Sequence, residues 1–233
     1  MKRKIFTGAI FALALVALFL STTPTQAVST FLIGPKPEKK WMEYFYRANG
    51  VAPAPKPSTL MLNGTAVGFD FPDTPDVSGF NTKHPAYNGT LLGDLTGKTV
   101  SASITVSGVT GPFIYYGQGT ASNPCGTPAN VRLYFETNSN ELGESQYWWS
   151  NPVSYPLANG PATLTSTLNP ANWSDRDGHF GTFDAAHTAA FAASVADVQQ
   201  IGLSFGGGCF FANGVGTSDG SGTFTLTNFI VTP

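Results

Sequence analysis

Residues 99–107 read Thr-Val-Ser-Ala-Ser-Ile-Thr-Val-Ser, which puts Val100, Ala102, Ile104 and Val106 on one side and Ser or Thr on the other. A period of two belongs to a strand with one face in a core and the other in water, because a helix would scatter those four apolar side chains around its axis. Residues 131–137 repeat the pattern, with Val131, Leu133 and Phe135 inward and Arg132, Tyr134 and Glu136 outward, and residues 201–205 and 223–231 alternate in the same way. Shorter runs at 66–71, 114–117, 147–150 and 163–168 read as further strands separated by Gly, Asn, Ser and Pro turn signals. Strands apolar on one face need a second sheet to cover them. The expected fold is therefore all-β, an antiparallel β-sandwich over residues 58–233.

Two segments depart from that pattern. In residues 37–48, Trp41, Met42, Phe45 and Tyr46 sit at helical spacing behind Pro37 and Glu38, which predicts a short amphipathic helix. The prolines of 51–57 then read as an extended linker, so that 28–57 forms a helix and linker ahead of the sandwich. Residues 184–199 predict one connecting helix, with Asp184 as N-cap and Phe191, Val195 and Val198 on one stripe.

The chain opens with Lys2, Arg3 and Lys4, an uncharged apolar run over 5–20, and small residues ending at Ala27. That is the layout of a secretory signal peptide, with cleavage expected after residue 27. The 16-residue run is shorter than the roughly 20 needed to span a bilayer. Membrane insertion after cleavage is not expected. Loss of the leader leaves 9 of the 12 basic residues against 14 acidic ones, a net charge of −5. With no basic stripe to displace counterions, nucleic acid is excluded as a partner. The expected location is secreted, extracellular or periplasmic. In such an oxidising setting the two cysteines, Cys125 and Cys209, read as one disulfide. Closing their 84-residue separation is worth roughly 4 kcal/mol in the chain-entropy account.

The order of several segments carries a family resemblance. Asp-Leu-Thr-Gly-Lys-Thr-Val at 94–100 precedes Val-Arg-Leu-Tyr-Phe-Glu-Thr at 131–137 and Leu-Thr-Ser-Thr-Leu-Asn-Pro-Ala-Asn-Trp-Ser at 164–174. Val-Gln-Gln-Ile-Gly-Leu-Ser-Phe-Gly at 198–206 and Gly-Thr-Phe-Thr-Leu-Thr-Asn-Phe-Ile-Val at 222–231 complete the series. From about residue 65 to the end the chain resembles the jelly-roll sandwiches of the galactose-binding-like superfamily, to which many carbohydrate-binding modules belong. The resemblance implies a jelly roll that holds a sugar. It also implies a structural calcium, but Thr227 stands before Asn228 where such modules carry an aspartate.

Sugar recognition needs flat aromatic faces for pyranose rings and polar groups for the hydroxyl rim. Tyr147, Trp148 and Trp149 form the densest aromatic run, and Arg132, Tyr134 and Glu136 form an outward polar row beside it. In a strand Trp148 and Trp149 point to opposite faces, so one belongs to the core and the other to the surface. Asp70, Asp73 and Asp76 are the candidate calcium ligands, though turns favour aspartate for its own sake. No other cofactor is expected. For glycoside hydrolysis Glu136 would need a second carboxyl such as Glu144. His179 and His187 read as caps of turns or of the helix. The expected function is non-catalytic binding of an extracellular polysaccharide or glycoconjugate; the alternatives are a structural or adhesive surface protein and a small secreted glycoside hydrolase or lyase.

Overall fold

The computed structural model describes residues 36–45, 55–58, 60–62, 66–137 and 146–233. The expected signal peptide, Glu141 and Glu144 lie outside them. The fold is a jelly-roll β-sandwich of two antiparallel sheets. In chain order the strands of the first half are β1 (Met42–Phe45), β2 (Lys56–Pro57), β3 (Leu60–Leu62), β4 (Ala66–Asp70), β5 (Val77–Thr82), β6 (Thr99–Ser107) and β7 (Phe113–Tyr115). The second half adds β8 (Asn130–Glu136), β9 (Tyr147–Ser150), β10 (Tyr155–Pro156), β11 (Gly160–Thr167), β12 (Trp173–Ser174), β13 (Gln200–Gly206), β14 (Val215–Thr217) and β15 (Thr223–Thr232). One α-helix, α1 (Ala185–Ala196), connects β12 to β13. The larger sheet runs β12-β9-β8-β13-β5-β1-β2, with β10 against β8 and β14 between β5 and β7; the smaller runs β11-β6-β15-β4-β3.

Alternation builds the core between them. Val100, Ala102, Ile104 and Val106 of β6 face Val131, Leu133 and Phe135 of β8 and Ile201, Leu203 and Phe205 of β13 in one apolar cluster. Phe69 and Phe224 stack at 5.1 Å on the smaller sheet and meet Phe80 and Phe205 of the larger one at 5.0–6.2 Å. Asp184 caps α1 by accepting the backbone N–H of His187, as the sequence predicts. Phe191 and Val195 bury the helix against the sandwich. Cys125 and Cys209 are disulfide-bonded with their Cα atoms 5.0 Å apart.

The segment expected to be a helix over 37–48 is different. Of its described residues, 37–45, Pro37–Lys39 forms a 3-10 turn and Met42–Phe45 is a strand paired with β5, while 46–48 lie outside the described residues. Trp41 is fully buried against Phe80 and Phe229. Four apolar residues within six positions fit either period, and the open edge of β5 offered backbone partners that an isolated helix of that length lacks.

Candidate functional site

The outward row of β8 lies at the middle of the larger sheet, where neighbouring registers assemble a single face. Tyr147 of β9 is opposite Glu136, which is opposite Gln200 of β13. One step along, Trp149, Tyr134, Gly202, Asn81 and Met42 line up across five strands. A third row holds Arg132, Ser204, Gly79 and Tyr44. Because cross-strand partners share a face, Arg132, Tyr134, Glu136, Tyr147 and Trp149 come together as their alternation predicts. Trp148 does not belong with them: it points inward, fully buried, and meets Phe191 edge-on at 4.9 Å. The pleat that turns Trp149 outward sends its neighbour into the core.

The aromatic members pack tightly. Trp149 lies 5.3 Å from the Tyr134 ring and 6.3 Å, nearly parallel, from Tyr147. Its indole N–H donates to Ser204 Oγ at 2.9 Å. Phe211, from the loop after β13, covers one end, 6.3 Å from Trp149 and 4.0 Å from the Arg132 guanidinium. Gly202 and Gly79 supply no side chain in the centre. A Cβ at Gly202 would run into the Phe80 carbonyl and Asn81. Tyr44 packs beside Gly79, its Cβ 3.5 Å from where a Gly79 Cβ would stand, and its hydroxyl donates to Gln200 Oε1 at 3.1 Å.

This face is drier than alternation alone implies. Trp149 and Tyr134 are each only 7 % exposed, and Arg132, Glu136, Gln200 and Asn81 are buried, while Tyr147, Tyr44 and Phe211 keep part of their surface in solvent. Arg132 Nη1 donates to the Ser150 carbonyl at 2.8 Å. Arg132 Nε and Asn81 Oδ1 make no protein hydrogen bond, leaving a donor and an acceptor on this face. At the Glu136 end a groove of about 370 Å³ is lined by Lys83, Asn88, Asp197 and Gln199 among others. The Gln199 backbone N–H donates to the Glu136 carbonyl at 2.9 Å.

Burial sets the electrostatics. It holds the Arg132 guanidinium down to about 10. Burial and then the Glu136 charge push the Tyr44 phenol up to about 12, and the same two causes raise Tyr147 and carry Tyr134 well above its ordinary value. The Glu136 carboxyl is itself raised by burial, against the hydrogen bond from the Tyr134 hydroxyl and the Lys83 charge. A carboxyl whose folded pKa exceeds its unfolded one costs nothing while both states are protonated, and destabilises the fold progressively as pH rises from the unfolded pKa through the folded one. Glu136→Gln keeps an acceptor for Tyr134 and removes that penalty. Its stability relative to wild type should therefore grow between mildly acidic and neutral pH, read as urea midpoints at several pH values. Parallel pH profiles would contradict a buried, destabilising carboxylate.

Two of the three aspartates are engaged separately. Asp70 Oδ1 accepts from Thr223 at 2.7 Å and Asp76 Oδ2 from Thr74 at 2.8 Å. They do not gather as three ligands within reach of one ion. Sequence reasoning missed Tyr44, Asn81, Gln200 and Phe211, which join the face through pairings across as many as 156 residues. Only the outward position of Gln200 on β13 was open to inference. Among the described residues no helix is long and apolar enough to cross a membrane.

No family model and no curated protein matches the chain. Among solved structures it is similar to the L4b domain of human laminin alpha-2, with a TM-score of 0.42 and 9 % identity over 86 % of this chain and 95 % of that one. It is also similar to the xylan-binding module CBM15, with a TM-score of 0.34 and 12 % identity over 81 % and 92 % of the two chains.

Proposed function

We propose that this is an exported, non-catalytic carbohydrate-binding protein whose glycan lies over the Tyr147 end of the outer face of the larger sheet and enters the Lys83–Gln199 groove. The observation that supports this most is the convergence of Tyr147, Trp149 and Tyr134 with Arg132, Glu136 and Gln200 on one face. Stacked rings offer an apolar platform, and the polar row and groove offer hydrogen bonds for hydroxyls. Export rests on the leader pattern and is consistent with the disulfide.

A glycan array followed by titration with the best polysaccharide tests the reading. Tyr147 is half-buried, so Tyr147→Ala should fold normally and weaken binding at least about tenfold, the loss expected of an aromatic side chain in direct contact with the ligand. Binding to no polysaccharide, or affinity indifferent to Tyr147→Ala, would remove the proposal. Reducing-sugar release that disappears in Glu136→Gln would instead make the protein a hydrolase.

An adhesive role is a second reading. Tyr116 is 44 % and Phe210 53 % exposed. Their loops are joined by Asn123, which donates to the Tyr116 carbonyl and accepts from the Cys209 N–H. Cell-surface retention that survives Tyr147→Ala but not loss of Tyr116 and Phe210 would favour it.

A further inference from the structure

Beyond Ser174 the chain leaves the sheet edge and turns back on itself over Asp175-Arg176-Asp177-Gly178-His179. Gly178 adopts φ +87°, which a glycine tolerates without strain. Asp175 organises the turn: its Oδ1 accepts the backbone N–H of Asp177 at 3.0 Å and of His179 at 2.9 Å, and its own N–H donates to the His179 carbonyl at 2.9 Å. The other oxygen, Oδ2, belongs to a side chain with no exposed surface and makes no hydrogen bond. It lies 3.4 Å from His187 Nε2 and 4.0 Å from His179 Nδ1. One ligand atom from each of Asp175, His179 and His187 lies within 4.8 Å of the others. His179 Nδ1 is likewise buried without a hydrogen bond.

The second nitrogen of His187 shows what this arrangement requires. His187 sits in the first turn of α1, and its Nδ1 is 2.7 Å from Oδ1 of Asp184, the same oxygen that caps the helix. An ionised carboxylate only accepts, so His187 Nδ1 carries a proton, and in the neutral imidazole that leaves the Nε2 lone pair on the side of Asp175 Oδ2. With neutral imidazoles, two ring nitrogens and a carboxylate oxygen surround a common centre with no proton between them, a cluster that a bound cation neutralises. Adjacent ligands of a tetrahedral zinc ion with N and O donors are about 3.3 Å apart, close to the 3.4 Å between His187 Nε2 and Asp175 Oδ2. A carboxylate behind a ligating histidine is the usual outer support of such ions.

We propose that Asp175, His179 and His187 bind one divalent transition-metal ion of the zinc class, with Asp184 as the positioning residue of His187. Two imidazoles select against calcium and magnesium, which take oxygen ligands. The His179 side chain is 40 % exposed, so the fourth position faces solvent on its side. Phe183, 61 % exposed, stacks on His179 at 4.2 Å and shelters the other. The ion ties the turn after β12 to the start of α1. This site is separate from the glycan-binding face and does not depend on it.

Tag-free protein, stripped with EDTA and dialysed, is titrated with zinc chloride by calorimetry and with cobalt chloride by visible absorption. The expected results are one ion per chain, cobalt d–d bands, and a melting temperature raised by zinc and returned by EDTA. His179→Ala removes a partly exposed side chain and should leave the fold intact while weakening zinc at least about tenfold, and Asp184→Asn should do so through His187. His84→Ala, which alters the one histidine outside the cluster, should change nothing. Absence of saturable uptake would overturn the proposal and leave an ion-paired imidazolium in its place. Uptake unchanged by His179→Ala and His187→Ala would overturn it equally.

Discussion

Phe69→Ala is expected to lower the unfolding free energy by about 3–5 kcal/mol, the cost of emptying a phenyl-sized space in a core that cannot fully collapse. Phe69 is fully buried and its ring meets Phe71 at 5.4 Å, Phe80 at 5.6 Å, Phe205 at 5.5 Å and Phe224 at 5.1 Å. Phe71 and Phe224 extend the smaller sheet's side of that cluster, whereas Phe80 and Phe205 come from the larger sheet. The truncation thus loosens the contact between the sheets rather than one strand. Against a total stability of roughly 5–15 kcal/mol for a domain, it should shift the urea midpoint far enough to be seen by circular dichroism without fitting. A loss below about 1 kcal/mol would mean that the neighbouring rings refill the space. Phe183→Ala, at an exposed ring, is the control and should move stability within about 0.5 kcal/mol.

Trp149→Ala should have the largest effect on binding. Its indole holds Tyr147, Tyr134 and Phe211 in place at once and anchors Ser204 through Nε1. Removing it takes away the platform and the support of the rings beside it, and a loss of about 2 kcal/mol or more, roughly thirtyfold in affinity, is the scale of such a central aromatic. The same truncation leaves a buried space on the outer face and should also destabilise the fold by about 3 kcal/mol. Trp149→Phe separates the two effects. It keeps an aromatic plane, though a smaller one, and loses the bond to Ser204, so it should stay folded and retain most of the affinity for the same polysaccharide. Full affinity in a folded Trp149→Ala would move the ligand away from this face.

Much of the fold was legible because alternation is a local property. Residues 99–107 and 131–137 declare both their strand conformation and their inward side chains, and the structure places Val100, Ala102, Ile104, Val131, Leu133 and Phe135 where that pattern puts them. The helix expected over 184–199 was equally plain from its cap, but it ends at Ala196, and Val198, expected on its stripe, bridges to Gly93 instead. Residues 42–45 were misread because four positions cannot separate a period of two from one of 3.6; only the open edge of β5 settled the matter. Arg132, Tyr134 and Glu136 were correctly placed on the outward face but expected to be wet. Phe211 and Tyr44, remote in sequence, cover them.

Residue order alone thus determined the all-β class, the opposed faces of Trp148 and Trp149, and, with two cysteines available, which pair would join. It could not say which tryptophan faces the core, because shifting a strand by one residue exchanges its faces and register is settled by pairing with distant strands. For the same reason only the tertiary structure gathered Tyr44, Asn81, Gln200 and Phe211 around Glu136. It alone turned His179 and His187, which read separately as caps, toward one oxygen of Asp175. Burial and convergence depend on what the far chain brings to a surface, and that is fixed only when the two sheets close on each other.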